Sequence, residues 1–203
     1  MHLNKNWILT VIDMVTNKNI TSFDDITEDN RLWAVRYEGD EDNILDILFA
    51  QWDDVQWIRS FFKKNMPDLQ RYFDISDVDV AIDITAEDSD ILQRKILDIS
   101  PDANLDEMFR PLDNMQTSEM MLDKEKANPK TLTHHRSWLR IYALKLEDGC
   151  YIITGGAIKL TRTMQEREHT LQELLRQEQV RNFLLTNQII DTDSFIDYLT
   201  ELK

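Results

Sequence analysis

Ser137-Trp138-Leu139-Arg140-Ile141-Tyr142-Ala143-Leu144-Lys145-Leu146, then Glu147-Asp148-Gly149, then Cys150-Tyr151-Ile152-Ile153-Thr154-Gly155-Gly156-Ala157-Ile158-Lys159-Leu160 is the stretch that decides the fold. The first run is rich enough in aromatic and β-branched residues for a strand, and Gly149 turns the chain into a second strand from Cys150 to Thr154. Gly155-Gly156 interrupts or bulges the chain before Ala157 to Leu160. The segment therefore reads either as a three-strand antiparallel meander or as two strands with a bulge. Three of the four glycines of the 203-residue chain lie here. Average usage would supply about fourteen, so helices should dominate elsewhere.

Working outward, the expected elements toward the amino terminus are two short strands, Trp7 to Val15 and Leu32 to Tyr37, separated by the polar stretch Asn17 to Asn30. Asp40 can cap a helix from Glu41 to Gln51, and Asp53 or Asp54 one from Val55 to Asn65, with Pro67 in the first turn of a helix through Tyr72. Ser76 with Asp79 resembles a capping box for a short helix over Val78 to Ile84, before a longer one from Ala86 to Ile99 that Ser100-Pro101 stops. Asn104 to Arg110 adds a turn or two. Residues 111–136 lack a sustained period and read as a connector with one helical stretch at Ser118 to Lys126. Beyond the deciding stretch, Thr170 to Glu173 reads as a capping box opening a helix to about Leu185, and Asp193 caps a last helix from Ser194 to Leu202. Helices, then sheet, then helices give an α+β class. The expected organisation is an acidic, mostly helical region over 1–110 and an antiparallel sheet with C-terminal helices over 111–203, which can pack together as one domain.

Composition narrows the classes. Apolar residues at 42% and charged residues at 30% describe an ordinary folded chain. No apolar run reaches the roughly 18 residues of a membrane span. Met1 to Trp7 lacks the pattern of a secretory signal, and the single Cys150 cannot form an internal disulfide. A cytoplasmic protein without a membrane partner is expected. The net charge is -15, which repels nucleic acid unless the charges are segregated. They are: residues 1–129 hold 13 basic and 28 acidic side chains, residues 130–165 hold 6 and 2, and residues 166–203 hold 4 and 8. The single basic island coincides with the deciding stretch.

Strand alternation puts Trp138, Arg140, Tyr142 and Leu144 on one face and Leu139, Ile141 and Ala143 on the other. Cations beside aromatic rings on an exposed face would suit phosphate and base, and Lys159 and Arg162 lie a hairpin away. The alternative is that Arg140 pairs with a carboxylate and Tyr142 packs beneath a helix. His134 and His135 adjoin the sheet and can exchange protons near neutrality, or serve as ordinary surface histidines. Glu166 to His169 has a di-iron spacing without a second pair, and Asp77-Val78-Asp79 lacks the rest of a calcium loop. Phosphate-cradling glycine loops, a Gly-x-Ser-x-Gly elbow and a zinc set are absent, so neither metal nor cofactor is expected.

Phe109-Arg110-Pro111-Leu112, Trp138-Leu139-Arg140-Ile141-Tyr142 and Tyr151 through Thr161, followed by a polar turn and an amphipathic helix, resemble the RelE/HigB superfamily of toxin-antitoxin toxins over about residues 105–186. Leu160 and Met164 stand where that pattern carries a second lysine and a proline. The resemblance implies a metal-independent messenger-RNA endoribonuclease in which the ribose 2′-hydroxyl attacks its own phosphate. Arg140 and Lys159 would stabilise the phosphate, Tyr142 would orient a base, and Arg162 would bind neighbouring phosphates. On chemistry rather than motif, His135 completes the catalytic set as acid or base, and Arg136, Trp138 and His134 join Arg162 in contacting RNA. The expected partners are messenger RNA or the ribosome and an antitoxin or other regulatory protein. The competing expectation is a non-catalytic acidic interaction module with a toxin-like fold, since a fold does not fix an activity.

Overall fold

A computed structural model describes residues 18–27, 29–99, 103–111, 123–127 and 136–201. Six strands form one mixed sheet in the order β1-β2-β6-β5-β4-β3. They are β1 (Ile20–Asp25), β2 (Leu32–Tyr37), β3 (Phe109–Pro111), β4 (Asp123–Ala127), β5 (Leu139–Lys145) and β6 (Tyr151–Ile158). All neighbours are antiparallel except β2 and β6, which run parallel through Leu32↔Tyr151, Trp33↔Ile152 and Ala34↔Ile153. Strands from both sequence regions thus share one sheet. The fold is α+β, as the order of elements implied.

Between β2 and β3 the chain forms α1 (Ile44–Asp53), α2 (Val55–Lys64), α3 (Met66–Phe73), α4 (Val78–Leu97) and the single turn α5 (Leu105–Met108). After β6 come a 3-10 turn (Met164–Glu166), α6 (Glu168–Thr186) and α7 (Thr192–Glu201). The caps explain several shifted starts. Asn43, not Asp40, caps α1 by accepting from the Leu45 and Asp46 amides, while Asp40 pairs with Lys18. Asp54 caps α2 in the same way, and Asp77 rather than Ser76 opens α4. α4 runs unbroken where two helices were expected, because nothing between Ile84 and Ala86 interrupts its backbone. The capping box belongs to Thr163 and Glu166 on the 3-10 turn, and Thr170 Oγ donates instead to the Met164 and Arg167 carbonyls. Asp191 accepts from the Ser194 amide where Asp193 was expected.

Three strands were unforeseen. β3 takes the end of the helical turn expected at Asn104 to Arg110. β1 lies in the stretch read as a polar connector and pairs with β2. The strand expected at Trp7 to Val15 lies outside the described residues. β4 replaces the end of the helix expected at Ser118 to Lys126; residues 118–122 lie outside the described residues. The deciding stretch resolves into two strands with a bulge: β6 continues through Gly155-Gly156, and the register with β5 shifts between Tyr142 and Ala143 so that Thr154 is skipped.

Adjacent glycines reveal the layers. A Cβ on Gly156 would meet Leu48 of α1, and one on Gly155 would overlap the Glu173 carboxylate of α6. Neighbouring residues in a strand face opposite ways, so α1 and α6 cover opposite faces. Every residue of β6 is buried. The core gathers Trp52, Phe62, Trp138 and Phe195, all essentially unexposed, with the Trp138 ring edge-on to Phe62 and Phe73 at centroid distances of 5.3 and 5.2 Å.

Candidate functional site

The residues singled out from the sequence fall in three environments. Trp138 is wholly buried and donates from Nε1 to Thr85 Oγ at 3.0 Å. Tyr142 is 1% exposed, in a small cluster with Ala157, Met164 and Leu174. The exposed aromatic face expected there is thus a packed one, and for Tyr142 the alternative of packing beneath a helix holds. Burial drives the Tyr142 hydroxyl pKa upward, and that hydroxyl has no hydrogen-bond partner. Arg140 is half-buried beside it and donates to the Ser137 and Leu139 carbonyls at 3.0 and 2.5 Å rather than to a carboxylate. Its pKa is drawn below the ordinary guanidinium value, chiefly by burial. Lys159 is also half-buried, and its ammonium donates to the Thr161 and Arg162 carbonyls at 2.8 and 2.6 Å, fastening the loop after β6. Arg136 and Arg162 are exposed. His134 and His135 lie outside the described residues.

A second constellation comes from how β2 and β6 part. Their pairing ends at Ala34↔Ile153, and beyond it Thr154 to Ile158 keeps β5 on one edge but, among the described residues, no strand on the other. Unpaired backbone groups in the interior need partners, and three side chains provide them. Tyr37 Oη donates to the Thr154 carbonyl at 2.6 Å. The Gly156 amide donates to Glu173 Oε2 at 3.0 Å. His169 Nε2 lies 2.9 Å from the Ile158 carbonyl; for that contact to be a hydrogen bond Nε2 must carry the proton, which leaves Nδ1 as an acceptor.

A cleft of about 740 Å³ opens along this edge, walled by α1, α2, the end of β6 and the first turns of α6. Parallel strands commonly place ligand sites beyond their carboxyl ends, and this cleft lies at the carboxyl end of the β2-β6 pair. His169, Gln172, Glu173 and Arg176 line it at helical spacing from one face of α6. Trp57 and Phe61 of α2 form a stacked pair, 5.5 Å between centroids, and the His169 ring stands edge-on to Phe61 at 5.3 Å. Trp52 also lines the cleft, and its buried Nε1 has no hydrogen-bond partner.

Electrostatics here turn on burial. The Glu173 carboxyl is pushed up from an ordinary 4.5 to about 7, because desolvation outweighs the ion pair with Arg176 at 2.7 Å and the Gly156 amide. Burial likewise pulls the His169 pKa down, against the Ile158 carbonyl, which raises it. Arg176 lies 5.3 Å over the Tyr37 ring. Arg167 forks onto Asp68 of α3 at 2.6 and 2.5 Å. Lys64 is exposed at the rim with no carboxylate partner among the described residues. The arrangement joins a near-neutral acid, a neutral base, cations and stacked rings in one concavity, a combination suited to proton transfer at an anionic substrate.

Other chemistry has less footing. The Cys150 thiol is buried and pushed up to about 12 by desolvation, so it is a poor nucleophile. Among the described residues there is no cluster of His, Cys, Asp and Glu that could hold a metal ion, and no helix long and apolar enough to cross a membrane. No family model, curated protein or solved structure matches the chain.

The sequence reading missed this cleft. It set His169 aside as a loop residue and used Glu173 as a capping residue. The available signal was the polar run His169, Gln172, Glu173 and Arg176 on a single helix face, opposite a glycine pair inside an apolar strand.

Proposed function

We propose that the protein is a toxin-like, metal-independent endoribonuclease that binds single-stranded RNA in the β2-β6 cleft, works in the cytoplasm and is held in check by a regulatory protein. The observation that carries this reading is the meeting of Glu173, His169 and Arg176 on one helix face at the floor of a cleft with an aromatic pair in its wall. In the reaction, His169 Nδ1 takes the proton from a ribose 2′-hydroxyl, whose oxygen bonds to the adjacent phosphorus. The bond from phosphorus to the 5′ oxygen breaks, and protonated Glu173 supplies that oxygen with its proton. The products are a 2′,3′-cyclic phosphate and a 5′-hydroxyl end. Arg176 and Lys64 offset the charge that builds on the phosphoryl oxygens. Trp57 and Phe61 offer a surface on which a base stacks. Lys159 and Arg162 follow directly on β6 and extend the cationic path. Arg140 and Tyr142 act as positioning residues beneath it. The resemblance of the β5-β6 hairpin to RelE/HigB toxins supports the same reading.

The test is cleavage of a labelled single-stranded RNA in chelator, with and without ribosomes. Wild type should yield cyclic-phosphate ends. Glu173→Gln and His169→Ala should each lower the rate by roughly a hundredfold or more, with folding intact. Absence of cleavage under both conditions overturns the reading. One observation favours a second reading, a non-catalytic interaction module: Arg140 and Lys159 spend their donors on backbone carbonyls, while Trp138 and Tyr142 are buried. Its acidic surface would recruit a basic protein, and that complex would weaken as salt rises.

A further inference from the structure

A separate cavity of about 350 Å³ lies where the end of α3 meets the approach to β5, lined by Arg71, Tyr72, Phe73, the exposed Asp74, Ile75, Arg136 and Trp138. We propose that this cavity binds a nucleoside monophosphate, with the phosphate held between Arg71 and Arg136. The inference does not rest on the ribonuclease reading.

Four observations converge. In a chain of net charge -15, two exposed arginines reach the same cavity, and neither has a carboxylate partner among the described residues. Each guanidinium lies over a ring, Arg71 over Tyr72 and Arg136 over Phe73, both at 5.3 Å from the centroid. Stacking occupies the plane of a guanidinium and leaves the N–H donors at its edge for a bidentate oxyanion. Arg136 is also close enough to Arg140 for their charges to repel, a repulsion that Asp88 offsets and a bound dianion would relieve further. Of the rest of the wall, Phe73, Ile75 and the buried Trp138 are apolar and want a flat, weakly polar body rather than a bare ion, while the Asp74 carboxylate disfavours an anion on its own side and can accept from a ribose hydroxyl. A phosphate joined to a nucleoside has both parts, whereas inorganic phosphate has the charge alone and a nucleoside the ring alone.

Isothermal titration of the full chain with uridine 5′-monophosphate, uridine and inorganic phosphate tests this. The monophosphate should bind at least about tenfold more tightly than either fragment. Arg71→Ala and Arg136→Ala should each weaken it by about tenfold or more, and Arg71→Lys should restore only part of the loss. Glu173→Gln should leave binding unchanged, which separates this cavity from the cleft. Circular dichroism establishes that each variant folds, and Arg136→Gln replaces any alanine variant that does not. Equal affinity for the monophosphate and phosphate, or arginine variants that bind like wild type, overturns the proposal.

Discussion

Replacing Glu173 with glutamine removes one ionisable proton while preserving shape, and the structure fixes what that should do to stability. In the folded chain the carboxyl titrates near 7, and in the unfolded chain near its ordinary 4.5. Between these values the folded state holds a proton that the unfolded state has released, so wild-type stability falls as pH rises from 4.5 to about 7. The span corresponds to a loss of about 3 kcal/mol once the pH exceeds both values. Glutamine resembles the protonated carboxyl, and its amide oxygen can still accept from the Gly156 amide. The two proteins should therefore be nearly equal in stability at about pH 4, below both values, and by about pH 8 the variant should be the more stable by up to about 3 kcal/mol, less whatever the Arg176 pair contributed. Urea unfolding followed by tryptophan fluorescence at constant ionic strength measures this. Taking the difference between variant and wild type cancels the repulsion that loads the whole acidic chain as pH rises. A difference that stays constant across the range would refute the argument that burial governs this carboxyl.

Tyr142→Phe removes a hydroxyl that is buried without a partner, so thermal unfolding should show no loss of stability and a gain of up to about 1 kcal/mol. Gly155→Ala places a methyl where the Glu173 carboxylate sits; denaturant unfolding should show a cost of about 1–3 kcal/mol, and in this background Glu173→Gln should no longer produce a pH-dependent change in stability. Trp138→Phe loses the bond to Thr85 and part of the ring packed against Phe62 and Phe73, and denaturant midpoints should report a loss of about 2 kcal/mol. His169→Gln should change the acid side of the stability profile: the depressed His169 pKa makes wild type lose stability as pH falls below 6.5, and a variant profile with the same acid slope would disprove that assignment.

The hairpin and the helices were legible because their signals are local. Aromatic and β-branched runs flank Gly149 in β5 and β6, and the apolar positions of α1 and α2 recur at helical spacing. β1 and β4 were illegible for a physical reason. β1 is an edge strand in which Phe23 alone is buried, and its serine, threonine and aspartates read as connector. Polar residues are what protect such an edge from pairing further. β4 reads Asp-Lys-Glu-Lys-Ala, a pattern that also suits an exposed helix, and its identity comes from backbone pairing with β5 on one side and β3 on the other. Of the site, Arg140 and Tyr142 were placed on the correct strand. Which of the two alternatives held for Tyr142 was hidden because Leu174 of α6 packs against it from far along the chain.

Strand alternation could not locate the site because it tells only which face a side chain occupies, whereas this sheet is covered on both faces along β6 and has only an edge to offer. The bulge at Thr154 makes that edge usable. It shifts the phase of β6 by one residue, so that the groups reached from outside β5 are the Thr154 carbonyl, the Gly156 amide and the Ile158 carbonyl. A third strand would have satisfied them with backbone. Tyr37, Glu173 and His169 satisfy them instead, and two of these, the cleft-lining Glu173 and His169, keep some capacity: a second carboxylate oxygen on Glu173, already shared with Arg176, and the Nδ1 lone pair of His169. The same burial that makes Glu173 necessary to the Gly156 amide moves its pKa to the pH at which an acid can give up a proton and recover it. On the proposed reading, structural repair of a split sheet and acid-base chemistry draw on the same residues, and a variant that disables one without the other has to preserve the hydrogen bond while changing the charge, as Glu173→Gln does.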